Sequence, residues 1–369
     1  MKITDALEWG RRELSGESSS FLRRAESAEV SVGDLLASDL PYHDLSISDR
    51  LASDLPNSDR LASDPLASSL PAPNPLARTL SASVPLASVS RPSAPHSPTS
   101  PSPLPPPTAP RRARLESELL LAFALGVGRE WLHAWGEREV ELKALARFEG
   151  YIARRKSHEP FEYITQSAGF YSREFFVSHG VLVPRPESEL LIDKAREVIA
   201  RSGVKRVGEI GVGSGVLAIT LALECPDISV VATDISQDAL AIAQSNIARH
   251  HTQSNRLKER ITLKHASLLD GIEEQIDLLI SNPPYIAQDY ALDASVMQEP
   301  HCALFGGVVG DEILLEIITL ARERGIEHLI CEMGYDQRES LSRALGEAGF
   351  EAEFYQDYAL WDRGFVAHR

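Results

Sequence analysis

The chain has 369 residues, more than one domain usually holds, so two folded units are expected. Apolar residues make up 43% of it, enough for a hydrophobic core, and its formal net charge of −16 argues against a broad electrostatic grip on nucleic acid. No apolar run approaches the roughly 18 residues of a membrane span and no signal peptide is evident, so a soluble protein with no membrane contact is expected.

The first two zones of the chain differ in composition. Residues 1–30 carry helical apolar spacing through Ile3, Leu7, Leu14, Phe21 and Leu22, and we assign residues 1–35 to the first part of an N-terminal helical domain. Residues 36–111 are rich in Ser, Pro, Ala and Leu and repeat the hexapeptide Leu-Ala-Ser-Asp-Leu-Pro. Because prolines break helices and sheets, this zone is predicted to be a disordered insertion, with a partner-binding tether as the alternative.

Helical periodicity returns in residues 112–158, the predicted remainder of the helical domain. One helix carries its apolar side chains on a single stripe, and a second is predicted over 137–155. Trp131 and Trp135 are four positions apart, a spacing more typical of a core contact than of a ligand site. The stripe consists of Leu115, Leu119, Leu120, Phe123 and Leu125.

Residues 159–186 are predicted to form a β-hairpin linker, because apolar residues alternate through 161–183, including Phe170, Phe175, Val177 and Val181. Strands and helices then alternate through 187–369, which is typical of a mostly parallel sheet covered on both faces. The expected fold class is therefore α/β. Strands are predicted over 204–210, 228–233, 261–264, 276–281 and 328–332, and helices over 187–202, 216–224, 237–249, 311–324 and 337–348.

A glycine-rich turn follows the first predicted strand of that sheet: Glu209-Ile-Gly211-Val212-Gly213-Ser214-Gly215. Glycines at a strand-to-helix turn let a ligand approach the main chain. The pattern is GxGxG, without the third glycine of the dinucleotide fingerprint GxGxxG, so it favours a ligand that has no pyrophosphate.

An acid, Asp234, ends the next predicted strand, where a carboxylate can accept both hydrogen bonds of a ribose diol. Together with the glycine turn, it predicts an adenosyl ligand. Glu209 has two interpretations: a structural acid near a helix dipole, or a contact near the methionine end of the cofactor S-adenosyl-L-methionine.

The buried strand over 276–281 leads directly into Asn282-Pro283-Pro284-Tyr285. An amide nitrogen is a poor nucleophile, so it must be held with its lone pair in line with the methyl group that it accepts. The Asn282 side-chain oxygen can accept one N–H of the target, the Pro283 carbonyl can accept the other, and Tyr285 can lie flat against the planar group. We predict these four residues as catalytic. No general base is required, because the proton can leave after transfer.

The stretch from about residue 152 to 369 resembles the HemK/PrmC-type methyltransferases, which modify the side-chain amide of the glutamine in the Gly-Gly-Gln loop of peptide chain release factors. Residues 114–139 are similar to that family's helical recognition domain. The matching motifs are Ala153-Arg-Arg-Lys-Ser-His-Glu-Pro160, Leu182-Val-Pro-Arg-Pro-Glu-Ser-Glu189, the glycine turn, Ser281-Asn-Pro-Pro-Tyr-Ile286, Glu299-Pro-His-Cys-Ala-Leu304 and Glu332-Met-Gly334.

The resemblance implies a Rossmann-like class I methyltransferase sheet with helices on both faces, plus the small helical domain. It implies that the three glycines, Asp234 and Asn282 contact S-adenosylmethionine, and that residues 282–285 grip the glutamine. It also implies that release factors 1 and 2 are the protein substrates. One departure concerns adenine. The family often has an acid and an aromatic after the third strand, where this chain has Ser267-Leu268, so adenine must be held differently, with Asp270 as a candidate substitute.

Two competing functions remain open at this point. A nucleic-acid adenine or guanine amino-group methyltransferase uses the same tetrapeptide but predicts a basic recognition domain, whereas this chain is acidic. An inactive scaffold predicts loss of the glycines or of Asn282. Arg185, Glu187 and Glu189 are either an active-site wall or acids that stabilise a helix start. No metal site is expected, because no histidine has a ligand partner at metal spacing. The three unpaired cysteines favour a reduced, cytoplasmic compartment, and a monomer is expected.

Overall fold

The computed structural model of the protein describes residues 1–16 and 109–369. Most of the predicted insertion lies outside the described residues, as do Phe21 and Leu22. The last three residues of the predicted insertion, 109–111, are described and form the first turn of a helix. The predicted end of the insertion at residue 111 is therefore slightly too late. Pro110 fits there because the N–H groups of a first helical turn have no partner within the helix.

Among the described residues, four helices form the N-terminal helical domain: α1 (Ile3–Ser15), α2 (Ala109–Leu125), α3 (Arg129–Ala134) and α4 (Leu142–Lys156). Their shared core includes Ile3, Leu120, Leu121, Phe148 and Ile152, all 1% exposed or less. Helix α1 therefore packs against residues that lie more than a hundred positions later in the chain, and the two sides of the predicted insertion belong to one domain.

Helix α1 ends at Ser15, and residues 17–30 of the predicted helix lie outside the described residues. Gly16 has a left-handed φ of 76°, and its N–H bonds to the carbonyls of Arg12 and Glu13, which closes the helix. The predicted start of α4 at residue 137 is too early. The chain there runs beside the N-terminus, where Lys2 pairs with Glu139 in a β-bridge.

The apolar stripe predicted for α2 is wrong in part, because Leu115 and Phe123 are 42% and 45% exposed. The buried face instead includes the small residues Ala113 and Ser117. A Cβ on Gly10 of α1 would lie 2.4 Å from the Ser117 hydroxyl oxygen. The two helices cross so closely that small side chains face the contact.

Trp131 and Trp135 contact each other, with ring centroids 6.5 Å apart. Trp131 packs against the core of the helical domain, whereas Trp135 is 54% exposed. The predicted core contact is thus made by the first tryptophan only.

The linker contains the predicted hairpin, with β1 (Ser167–Phe170) antiparallel to β2 (Arg173–Phe176). The four apolar residues predicted from its alternation are all buried, at 1% exposure or less. The strand prediction is wrong for Phe161–Thr165, which form a short helix, α5, after Pro160. Alternation cannot distinguish a single helical turn from a strand over so few residues.

A seven-stranded mixed sheet forms the main domain. Its five parallel strands are the five predicted ones, with ends shifted by up to two residues. The last two strands, antiparallel to their neighbours, were not predicted, because Glu351–Gln356 carries polar residues on a largely exposed edge. The strands are β3 (Arg206–Ile210), β4 (Ser229–Asp234), β5 (Ile261–His265), β6 (Leu278–Ser281), β9 (His328–Glu332), β10 (Glu351–Gln356) and β11 (Asp362–His368). They lie in the sheet in the order β10-β11-β9-β6-β3-β4-β5.

Helices cover both faces of this sheet, which confirms the predicted α/β, Rossmann-like class. Three helices share one apolar core and two share the other. A short parallel pair, β7 (Ile286–Ala287) with β8 (Phe305–Gly307), was also not predicted. On one face lie α6 (Glu189–Ser202), α7 (Val216–Glu224) and α8 (Gln237–His250), and on the other α11 (Glu312–Glu323) and α12 (Arg338–Glu347). The short helices α9 (Leu257–Arg260) and α10 (His301–Leu304) complete the set.

Candidate active site

The carboxyl ends of β3, β4 and β6 meet at one edge of the sheet. The chain runs outward from β3 to β4 and β5, then returns to place β6 on the other side of β3. Doubly wound sheets form their ligand crevices at such a reversal of strand order. A cavity of about 350 Å³ lies at this point, within the range of about 300–1,000 Å³ that is usual for small-molecule sites.

Most of the predicted site residues line this cavity, and Gly215, Pro283 and Tyr285 are the exceptions. The parallel sheet thus brings together, at one crevice, motifs that are far apart in sequence. The lining residues that were predicted are Glu209, Gly211, Val212, Gly213, Ser214, Asp234, Ser267, Leu268, Asn282 and Pro284.

The glycine turn curls back over the end of β4, because the N–H groups of Gly211 and Val212 both donate to the Thr233 carbonyl. Gly213 has a left-handed φ of 52°, and a Cβ added there would meet no protein atom within 4 Å, which leaves the space to a ligand. Gly215 has a different role. A Cβ added to Gly215 would lie 3.2 Å from the Ala243 Cβ, so the missing side chain lets the start of α7 pack closely against α8, and Gly215 does not line the cavity.

Asp234 is held in place by the backbone around it. One carboxylate oxygen accepts from the Gly213 N–H and the other from the Ser236 N–H, both at 2.9 Å. Each oxygen keeps further lone pairs, and the side chain lines the cavity. A pair of hydroxyl donors can therefore bind here without disturbing the turn.

Glu209 is a fully buried carboxyl group whose oxygens make no hydrogen bond of normal geometry among the described residues, and only the Ala218 N–H is close enough to lower its pKa. Burial and the nearby charge of Asp234 raise its pKa well above the usual value. An unpartnered buried carboxylate is costly, so a cationic ligand group would satisfy it. The cavity that Glu209 lines therefore fits a ligand that carries both an ammonium and a ribose diol, as S-adenosylmethionine does.

Asn282 follows β6 directly and lies beside the glycine turn. The hydroxyl of Ser281 donates to the Ile210 carbonyl at 2.7 Å, which ties the end of β6 to the end of β3. The side-chain NH₂ of Asn282 donates to the hydroxyl of Ser188 at 2.9 Å. Its carbonyl oxygen Oδ1 is left to accept a hydrogen bond from a molecule in the cavity.

Tyr285 is placed differently from the expectation. It is half-buried against the core of the α11 and α12 face, and its hydroxyl donates to Glu332 at 3.0 Å. The backbone carbonyl of Tyr285 accepts from the side chain of Gln337 at 2.9 Å. The Tyr285 side chain thus holds the loop against the protein core. The expected flat contact of its ring with the target group stays a prediction.

Arg185 and Glu299 join two walls of the cavity through an ion pair of 2.6 Å. The second oxygen of Glu299 also accepts from the Val183 N–H, at 2.9 Å. Burial raises the pKa of Glu299, and Arg185 opposes that effect. Of Arg185, Glu187 and Glu189, which were predicted as a possible active-site wall, only Arg185 lines the cavity. Glu189 instead accepts a hydrogen bond from the Tyr171 N–H at the hairpin turn.

The proposed adenine end of the cavity is lined by Ser267 and Leu268, as predicted, and by Ile235, which was not predicted. The Leu268 carbonyl accepts from the Thr233 hydroxyl at 2.6 Å, which fixes the turn after β5. Asp270, the candidate substitute, is exposed and does not line the cavity. Ile235 and Leu268 are the apolar residues that line this part of the cavity.

Several other lining residues were missed by sequence reasoning. Pro300, Cys302, Ala303 and Phe305 approach the cavity from the segment around α10. This segment has no glycine or charge signature of its own, although it lies in one of the motifs that carry the family resemblance. Within residues 1–16 and 109–369, no group of three or more His, Cys, Asp or Glu side chains could hold a metal ion, and no helix is long and apolar enough to cross a membrane.

Comparison with known proteins identifies two family models in the chain. Residues 109–165 match the PrmC N-terminal domain, and residues 186–300 match the methyltransferase small domain. The first match coincides with helices α2 to α5, and the second includes the glycine turn, Asp234 and Asn282. The chain therefore carries a methyltransferase domain behind a helical domain of this type.

Several known proteins match the chain over a stretch longer than either of these two domains. The chain is 41% identical over 236 residues to a release factor glutamine methyltransferase of Koribacter versatilis, covering 60% of this chain and 79% of that protein. It is 37% identical to one of Chlorobaculum tepidum (68% and 88% covered) and 40% identical to one of Dictyoglomus turgidum (58% and 76% covered).

Proposed function

The chain belongs to the family of release factor glutamine methyltransferases, and on that premise we propose that it transfers a methyl group from S-adenosylmethionine to the side-chain amide nitrogen of the glutamine in the Gly-Gly-Gln motif of peptide chain release factors. One observation carries the proposal: the carboxamide of Asn282 lies on the wall of the same cavity as Glu209 and Asp234. One of the two proposed acceptor contacts, Asn282, therefore shares the cavity with the proposed cofactor contacts, whereas Pro283 lies outside its lining.

The cofactor site in this proposal uses groups at the ends of three strands. Asp234 binds the ribose diol, Glu209 neutralises the ammonium group, and Ile235 with Leu268 encloses adenine. The unpartnered state of the Glu209 carboxyl supports a cationic ligand. Gly213 allows the ligand to lie against the main chain. When bound, S-adenosylmethionine supplies an electrophilic methyl group on a sulfonium.

The acceptor is held by the segment after β6. Asn282 Oδ1 accepts one N–H of the glutamine amide and the Pro283 carbonyl accepts the other, so that the nitrogen lone pair points into the cavity. Proline fixes φ in this segment, which limits the movement of both acceptors. As positive charge develops on the nitrogen, both oxygens stabilise it more strongly than in the ground state. The proton leaves after transfer, so no general base is needed.

The direct experiment incubates the chain with S-adenosylmethionine and purified release factors 1 and 2, followed by mass spectrometry of the Gly-Gly-Gln peptide. The proposal predicts one added methyl group on the glutamine. An oligonucleotide with unpaired adenine and guanine serves as the competing acceptor. Methylation of the oligonucleotide alone would contradict the proposal and support the nucleic-acid alternative. Action in the cytoplasm, as a monomer and on both release factors, is the finer part of the proposal.

A further inference from the structure

Both ends of the Asn-Pro-Pro-Tyr segment are tied to one buried carboxyl group. Glu332, at the end of β9, is 1% exposed. One of its oxygens accepts from the Ser188 hydroxyl at 2.6 Å, and the other accepts from the Tyr285 hydroxyl at 3.0 Å. Ser188, itself 3% exposed, accepts in turn from the side chain of Asn282. Glu332 thus reaches Asn282 through one hydroxyl and Tyr285 directly.

The direction of these hydrogen bonds is fixed when Glu332 is ionised, the state that its two hydroxyl donors and Arg363 favour against the effect of burial. An ionised carboxylate only accepts, so the Ser188 hydroxyl must donate to it. The serine oxygen then has only lone pairs to offer, and Asn282 must approach it with its NH₂ group. Because the two ends of a carboxamide have nearly the same shape, this constraint decides which end faces the cavity.

We propose that Glu332, acting through Ser188, orients the Asn282 carboxamide with its oxygen toward the acceptor, which makes Ser188 and Glu332 positioning residues for methyl transfer. This inference rests on the proposed function, since only an N–H donor in the cavity requires the oxygen there. With the carboxamide reversed, the NH₂ group would face the N–H groups of the acceptor and no hydrogen bond would form.

The burial of Glu332 supports a role beyond packing. A carboxyl group buried in an apolar core is costly unless its hydrogen bonds are made, and burial raises the pKa of Glu332. The two hydroxyl donors on this carboxylate offset that cost, and, like the charge of Arg363, they lower the pKa against the effect of burial. An apolar residue here would fill the space but would leave both Ser188 and Tyr285 free to rotate.

The test compares Ser188→Ala, Glu332→Gln and the double variant with the wild type. Each single change is expected to lower kcat by on the order of 10- to 100-fold, because a misplaced acceptor group costs about that much. Cofactor affinity should change less than about threefold. Since the two residues act in series, the double variant should be no slower than the slower single variant. Multiplied losses would contradict the relay.

Two further variants separate positioning from folding. Ser188→Thr keeps the hydroxyl and should recover most of the rate that Ser188→Ala loses. Ser117→Ala removes another buried serine hydroxyl, which donates to the Leu7 carbonyl at 3.0 Å in the helical domain. It should lower stability to a similar extent without lowering kcat. Equal losses of kcat in Ser188→Ala and Ser188→Thr would overturn the assignment.

A readout without catalysis completes the design. In nitrogen-15 spectra of the whole chain, the side-chain NH₂ signals of Asn282 are identified by their loss in Asn282→Ala. They should shift in Ser188→Ala and Glu332→Gln and stay in place in Ser117→Ala. Unchanged signals in Ser188→Ala would contradict the relay. Absence of methyl transfer by the wild type would contradict the proposed function instead, so the two failures are distinguishable.

Discussion

The side chain of Asn282 donates to the hydroxyl of Ser188 at 2.9 Å, although the two residues lie 94 positions apart in the chain. Ser188 precedes the first helix of the main domain and Asn282 follows its fourth parallel strand. The contact therefore joins two walls of the cavity at the point where we place the acceptor nitrogen. Substitutions at this contact should affect methyl transfer, whereas substitutions at Glu209 or Gly213 should affect cofactor binding.

Asn282→Ala should lower kcat by at least about 10²- to 10³-fold, because it removes an oxygen that stabilises charge in the transition state. Cofactor affinity, measured by calorimetry, should remain within several-fold of the wild type, since Glu209 and Asp234 are untouched. Asn255→Ala is the matched control, because that side chain only stabilises the loop before α9. Normal turnover in Asn282→Ala would refute its assigned role.

Gly213→Ala should weaken cofactor binding by about tenfold or more, since the added methyl group would lie where we expect the cofactor to bind. Gly203→Ala is a close control. Gly203 also has a left-handed φ, of 69°, and a Cβ there also meets no atom within 4 Å, but it lies at the end of α6. Both variants should lose about 1–2 kcal/mol of stability from backbone strain. If both bound the cofactor equally well, the glycine turn would not be the binding surface.

Cofactor affinity should rise with pH through the pKa of Glu209. Burial and Asp234 raise that pKa in the free protein, so at low pH the carboxyl is neutral and cannot pair with an ammonium group. As pH increases, the proton is lost and affinity rises by at most about tenfold per pH unit for one proton, then levels off. Calorimetry between about pH 5 and 6.5 keeps the cofactor's α-amino group protonated. Glu209→Gln should bind more weakly, with a flat profile; a wild-type profile that is also flat contradicts this assignment.

Tyr285→Phe should destabilise the protein by about 1–3 kcal/mol and slow turnover, because Glu332 loses one of its donors in a buried site. The control is Tyr355→Phe. The hydroxyl of Tyr355 is also buried but has no hydrogen-bond partner in the described part of the chain. Its removal should be neutral or stabilising in thermal unfolding. If Tyr285→Phe were as stable and active as the wild type, only the ring of Tyr285 would matter.

The sequence predicted which residues meet at the cavity where a motif follows a strand closely. Gly213, Asp234 and Asn282 each lie at or just after the end of a parallel strand, so the sheet itself brings them together. It could not predict that Ser188 would meet Glu332, because their contact spans 144 positions and neither side chain belongs to the cofactor pattern. The hydrogen bond from Tyr285 to Glu332 was not foreseen for the same reason, since Glu332 lies on another strand.

Errors in the helical domain have another physical cause. Helix α2 carries leucines on more than one face, so apolar spacing alone could not tell which face is buried. The deciding factor is the close crossing with α1 at Gly10, which requires small residues such as Ala113 and Ser117. That crossing depends on a helix from the other side of the predicted insertion, which no local pattern reveals.

The most direct test of the account is a crystal structure of the chain with the demethylated cofactor, S-adenosylhomocysteine, and a peptide that contains Gly-Gly-Gln. The account predicts that the glutamine Nε2 lies within about 2.7–3.2 Å of Asn282 Oδ1. It also predicts that the ribose hydroxyls of the adenosyl group donate to the carboxylate of Asp234. A glutamine side chain bound outside the cavity, or facing the NH₂ group of Asn282, would contradict it.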